Sequence, residues 1–214
     1  MSWLLRDEQA SWNGNDWDIH FDCRDGLPKC NVRSKHDNFR DSGLSTTISP
    51  SERLVADGNQ PLMLGDAYVR QRDVIAFFPE SKPWTFGYQV DLRLVQLAEH
   101  IVCLEFWLSI QTLLLDSHPQ VSVRIGESFD EAATGLWISR SKQASLSVHP
   151  LDCSDSTIEC AEAQLNMKVF DRFMEKGVIR RMRFRLSVAD RVQEASFWRE
   201  QSDAFSDSPL PLTT

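Results

Sequence analysis

Two stretches of strict alternation constrain this chain more than any other feature. Phe86, Tyr88, Val90, Leu92 and Leu94 are apolar at every second position, separated by Gly87, Gln89, Asp91 and Arg93. Val102, Leu104, Phe106, Leu108 and Ile110 repeat the pattern around Cys103, Glu105, Trp107 and Ser109. A period of two sends successive side chains to opposite faces of an extended strand, whereas a helix would scatter them around its axis. The stretches therefore read as neighbouring antiparallel strands. With Ala98-Glu99-His100 as a three-residue loop, Leu97 faces Ile101, Leu94 meets Leu104, Leu92 meets Phe106 and Val90 meets Leu108. The other face then brings Arg93 to Glu105, Asp91 to Trp107 and Gln89 to Ser109. A slip of one residue would set Leu92 against Glu105, so the apolar match selects this register.

The same reading extends along the chain. Tyr68-Val69 and the run from Val74 through Phe78 are short strands bounded by Gly65, Asp66, Pro79 and Pro83. Ser117-His118 before Pro119 turns the chain into Val121, Val123 and Ile125. Leu136 and Ile138 align with Leu146 and Val148 across Ser141-Lys142-Gln143, which leaves Trp137 and His149 on the opposite face. Met182, Phe184, Leu186 and Val188 alternate with Arg181, Arg183, Arg185 and Ser187 in a last strand. Leu165, Val169, Phe170, Phe173 and Met174 recur at helical spacing before Gly177, which predicts a helix near 163–176. Ser156 and Glu159 resemble a capping box that starts it earlier. A short surface helix is expected over 190–201, around Phe197 and Trp198.

Residues 1–50 show little periodicity, and 34–51 are polar, so this part reads as a loosely structured arm. Trp3, Trp12 and Trp17 imply that some of it packs on the body. Residues 202–214 read as an irregular tail. The expected fold class is therefore mainly β, an antiparallel sandwich or strongly curved sheet over 51–201 with a C-terminal helix, with α+β as the alternative.

At 214 residues the chain is long enough to bury a core without staples. A net charge of −8 disfavours nucleic acid and anionic membrane surfaces as partners. The longest apolar run, 101–115, is broken by Glu105, Ser109, Gln111 and Thr112, and falls short of a membrane span. The first residues are too short and too acidic for a secretory signal, which makes a cytoplasmic setting the expectation. Cys23/Cys30 and Cys153/Cys160 share a six-residue spacing that does not suit zinc, and Cys103 makes the total odd, so reduced thiols and no metal or cofactor are expected.

Three constellations bear on chemistry. On the second face of the central hairpin, Gln89, Asp91, Arg93, Glu105, Trp107, Ser109 and Gln111 combine an indole with carboxylate, guanidinium and amide groups, the mixture a sugar or other polar ligand requires. Trp137, Arg140 and His149 join them if the later hairpin extends the same sheet. The competing reading of this face is a solvated surface with a cross-strand ion pair, or one covered by the N-terminal arm. Arg181, Arg183 and Arg185 form a stripe suited to anions, unless the chain's own carboxylates neutralise it. Glu105, Asp91, Asp116, His100, His118 and His149 are residue types that sugar epimerases and mutarotases use as acids and bases, but their spacing is not diagnostic. The expected role is thus a non-catalytic domain binding a polar small molecule or a protein, with a carbohydrate-acting enzyme centred on Glu105 as the alternative.

Overall fold

The computed structural model describes residues 2–14, 16–36, 43–52, 62–82 and 84–208. The strands run in chain order as β1 (Leu4–Arg6), β2 (Gln9–Asn13), β3 (Trp17–Asp22), β4 (Lys29–Ser34), β5 (Leu44–Glu52), β6 (Asp66–Arg70), β7 (Asp73–Phe78) and β8 (Gly87–Ala98). They continue as β9 (Ile101–Gln111), β10 (Pro119–Ile125), β11 (Phe129–Ala133), β12 (Leu136–Ser139), β13 (Ala144–Val148), β14 (Ser156–Cys160), β15 (Leu165–Val169) and β16 (Ile179–Ala189). One α-helix, α1 (Ala195–Ser206), follows. Among the described residues these strands build two eight-stranded antiparallel sheets. The first is ordered β1-β2-β3-β4-β5-β10-β15-β14 and the second β11-β12-β13-β16-β9-β8-β7-β6. Their apolar faces meet in one core that holds Trp12, Ile19, Val32 and Met167 from the first sheet and Val90, Phe106 and Phe184 from the second. This is a β-sandwich with a C-terminal helix.

The central hairpin keeps the register that alternation selects, and departs from it only at the tip. Leu94 pairs with Leu104, Arg93 with Glu105, Asp91 with Trp107 and Gln89 with Ser109. The connection is a two-residue turn at Glu99-His100, so Ala98 pairs with Ile101 and Leu97 with Val102. The extra residue is taken up by a β-bulge between Leu94 and Gln96, which reconciles a tight turn with the apolar match below it.

The later hairpin departs further. Trp137 pairs with Leu146 and Ile138 with Ser145, one residue away from the apolar-to-apolar alignment. Ser139 decides this locally: its hydroxyl accepts the Ala144 N–H at 2.9 Å, and the turn closes through Lys142 at φ +58°. Trp137 consequently packs against the main core, while Ile138 moves to the outer face beneath the helix.

The N-terminal residues are not a loose arm. They supply β1 to β5, and Trp3, Trp12 and Trp17 are buried. Trp17, Ile19 and Phe21 alternate with Asp18 and His20, the same period-two signal that marks the central hairpin. Side-chain donors bind this half to the second sheet: Trp17 Nε1 to Ala98 O at 3.0 Å, Trp3 Nε1 to Arg72 O at 2.8 Å, and the Tyr88 hydroxyl to Gly26 O at 3.0 Å.

The helix expected near 163–176 is likewise a strand. Leu165, Met167 and Val169 are fully buried and alternate with Asn166 and Lys168, so burial follows period two. Phe170 at φ +67° ends the strand, and Gly177 at φ +79° lies in the following turn. Ser156 and Glu159 belong to β14. Helix α1 instead covers 195–206, later than expected, and Trp198 and Phe205 are fully buried beneath it, so it is no surface helix. Residues 202–206, expected as tail, are its last turns. Residues 37–42 of the polar stretch, Pro83, and 209–214 of the tail lie outside the described residues.

All five cysteines are free thiols. Burial pushes Cys23 up to about 12 and raises Cys30 as well, so both are inert core residues. Among the described residues no helix is long and apolar enough to cross a membrane, and no cluster of His, Cys, Asp or Glu is placed to hold a metal ion.

Candidate functional site

Because β16 pairs with β9, the polar face of the central hairpin and the arginine stripe form one surface. Asp73, Arg93, Glu105 and Arg185 stand directly opposite one another on β7, β8, β9 and β16. Beside this row of alternating charge runs a second, formed by Ile75, Asp91, Trp107 and Arg183. Phe77, Gln89, Ser109 and Arg181 form a third. Opposite residues in an antiparallel sheet lie about 4.5–5.5 Å apart at Cβ, so each row is a set of contacts.

Pairing in the first row is extensive. Arg185 donates Nη2 and Nε to Glu105 Oε1 at 2.6 and 3.2 Å, with both side chains less than a tenth exposed. Its Nη1 reaches the Gln201 carbonyl of α1 at 3.2 Å, and its guanidinium lies 4.7 Å from the centre of the Phe205 ring. Arg93 binds Asp73 through Nε and Nη2 at 3.0 and 2.9 Å. Trp107 Nε1 donates to Glu105 Oε2 at 3.3 Å, and the guanidinium carbons of Arg93 and Arg183 sit 5.2 and 5.6 Å from the Trp107 ring centre. Arg183, 3% exposed, bonds Asp152 Oδ2 through Nε at 3.3 Å. Gln89 donates to Asp91 Oδ1 at 2.6 Å, while burial pushes the Asp91 carboxyl above its ordinary range.

Helix α1 covers part of this face. Trp198 packs on Ile101, Cys103 and Ala189, with Ile138 and Phe197 beside them. Phe205 meets His149 edge-on at 5.4 Å. Beyond the helix end a groove of about 490 Å³ remains, with Arg93, Glu105, Trp107 and Arg185 on its floor and Arg72 and Ser208 at its margins. A rigid floor held by its own ion pairs, with an aromatic ring and several polar groups, can grip a small polar molecule without reorganising.

The structure thus brings together Gln89, Asp91, Arg93, Glu105, Trp107, Arg181, Arg183, Arg185 and His149 on one sheet face. It does not bring Trp137, which is turned into the core by the register shift, or Arg140, which pairs with Asp130 on an exposed hairpin. The face is covered by α1 rather than by the N-terminal tryptophans, which lie in the core. Sequence reasoning missed Asp73, Asp152, Gln201 and Phe205. Asp73 and Asp152 stand next to turns, where no periodicity marks a side chain's direction, although helical spacing of Trp198, Gln201 and Phe205 could have shown a shared helix face.

His149 makes this cover sensitive to acid. Its pKa is held below 6.5 by burial first and by Arg183 next, against the opposing pull of Asp152. Nδ1 also accepts the Leu151 N–H at 3.3 Å, a bond that protonation would break. The unfolded chain therefore takes up the proton more readily than the folded one. This group has no effect well above pH 6.5 and destabilises the fold as pH drops through and below that value. Urea midpoints measured across about pH 7.5 to 5 should decline, and His149→Gln should flatten the decline. Equal slopes in both proteins would assign the effect to other groups.

No family model matches the sequence, and no curated protein matches it. Among solved structures, a protein named as a kojibiose phosphorylase from human microbiome aligns over 91% of this chain at 7% identity and a TM-score of 0.30. The chain spans 23% of that protein's length, and a likeness at this level carries no argument about activity.

Proposed function

We propose that this protein is a non-catalytic binding domain that takes a small polar ligand in the groove on the outer face of its second sheet. The observation that carries this reading is the pre-paired floor, in which Trp107 is fixed by Glu105 and flanked by Arg93 and Arg183. Such a floor presents an aromatic ring and fixed donors at little entropic cost.

The alternative, a carbohydrate-acting enzyme with Glu105 as acid or base, has less support. Glu105 gives one oxygen to the Arg185 guanidinium and the other to the Trp107 indole. His100 is bound to Asp190 at 2.9 Å, and His118 lies against Phe173, so neither is placed with Glu105 on the groove floor.

The test is a thermal-shift screen against sugars, sugar phosphates and nucleotides, in which a ligand of the folded state raises Tm with concentration. Trp107→Ala should remain folded and lose most of that shift, about tenfold in affinity or more, as removal of a stacking platform does. A panel without any hit, or a shift unchanged in Trp107→Ala, would sink the proposal.

A further inference from the structure

We infer that the tip built from residues 112–118 and 171–179 is a lipid-docking surface, which seats exposed leucines in the apolar edge of a zwitterionic bilayer. It lies where β9 ends and β16 begins, and none of its residues lines the groove. Backbone bonds join the two segments. Gly177 N–H donates to the Thr112 carbonyl at 2.9 Å, and Ser117 and Met174 exchange bonds at 3.3 and 2.9 Å. Leu113 N–H is taken by the Glu80 carboxylate at 2.8 Å and Leu114 N–H by the Thr112 hydroxyl at 3.1 Å. The apolar side chains go the other way. Leu113, Leu114 and Leu115 are 58, 43 and 76% exposed, and Phe173, Val178 and Ile179 stand out beside them. Of thirteen exposed large apolar side chains among the described residues, these six share one tip. Single exposed leucines are ordinary on a protein surface, whereas a cluster of this kind marks contact with an apolar partner.

Shape and charge select the partner. Three consecutive side chains cannot share one face of a strand or helix, so the leucines leave the chain in more than one direction. A flat protein surface would cover one side of such a tip and leave the rest in water. Fluid acyl chains close around all of it. The loop 79–86 borders the tip, because Thr112 also donates its hydroxyl to the Thr85 carbonyl at 2.7 Å. Residues 79–86, 112–118 and 171–181 together carry five basic and four acidic side chains, close to balance in a chain whose net charge is −8. A mixed, nearly neutral rim suits phosphocholine headgroups, which carry both signs. An anionic surface would instead repel the chain as a whole. The backbone groups named above are already paired, so bringing the tip into the interface leaves none of them unsatisfied.

The experiment is flotation of the full chain with phosphatidylcholine vesicles, with phosphatidylserine-containing vesicles alongside. The protein should float with phosphatidylcholine, and added salt should not release it, because apolar burial rather than net charge holds it. Leu114→Ser combined with Leu115→Ser should weaken the partition about tenfold or more, since both side chains no longer gain by leaving water. Both positions are exposed, so the urea midpoint should not fall, and equal midpoints separate lost docking from lost folding. Leu115→Ser alone, at the most exposed of the three, serves as the second variant should the pair fail to fold. Val192→Ser, beyond the opposite end of β16 and 62% exposed, should float like the unaltered protein. Flotation with phosphatidylserine-containing vesicles alone overturns the inference, because charge would then be the attraction. Failure to float with either also overturns it, and a dimer by light scattering that the leucine variant loses would assign the tip to a second copy of this chain. Undiminished flotation of the leucine variants overturns the assignment to the tip.

Discussion

Glu105→Ala should lower the unfolding free energy by about 3–5 kcal/mol, the range for removing one partner of a buried ion pair. Arg185 is less than a tenth exposed and donates twice to Glu105, so truncating the carboxylate strands a guanidinium between the sheet and α1. The remaining bond, to the Gln201 carbonyl, does not neutralise it. A urea titration reads this as a fall in midpoint with little change in m-value. The paired change Glu105→Leu with Arg185→Leu should recover most of the loss, because two well-packed apolar groups avoid the desolvation that the ion pair requires. A cost below about 1 kcal/mol for Glu105→Ala would mean that water reaches the pair, as at exposed ion pairs. The helix would then be a looser cover than the burial of Phe205 implies.

The second large effect belongs to the helix itself. Trp198 is fully buried against Ile101, Cys103 and Ala189, in a cluster separate from the main core. Trp198→Ala should cost about 3–5 kcal/mol, as large-to-small changes of buried aromatics do. Its indole N–H has no hydrogen-bond partner among the described residues, so Trp198→Phe gives up volume and no bond, leaves a smaller cavity than alanine does, and should cost clearly less than Trp198→Ala. The contrast between the two variants is the measurement. If both cost the same small amount, α1 is not anchored through Trp198, and the groove beside it has no fixed wall.

Particular elements show how far the residues alone could be read. Alternation in β8 and β9 states which side chains share a face, and apolar matching then selects one register. Arg93–Glu105 and Asp91–Trp107 were legible for that reason. The bulge near Val95 was not, because a tight turn and a three-residue loop differ in local backbone geometry rather than in apolar pattern. The same limit hid the shift that packs Trp137 against the core, because the observed register also matches apolar groups, Trp137 with Leu146, and the Ser139 hydroxyl bond to the Ala144 N–H fits only that turn. Over 165–174 two periodicities coexisted. Burial against the first sheet chose period two for Leu165, Met167 and Val169, since a strand there completes the ladder between β10 and β14.

What the sequence by itself determined is therefore the mainly β character, the inward and outward faces of β8, β9 and β16, and which residues stand opposite one another in the body of the central hairpin, although Arg93 and Glu105 take their ion-pair partners, Asp73 and Arg185, from the strands on either side. Each of these depends on neighbours a few residues apart or across one turn. Tertiary structure alone decided that β16 lies beside β9, that Arg185 meets Glu105 across 80 positions of chain, and that α1 rather than the N-terminal strands covers the polar face. A period of two says which way a side chain points but not which strand lies beside it. Many strands of this chain offer the same apolar edge, and only the packing of the whole sandwich selects among them.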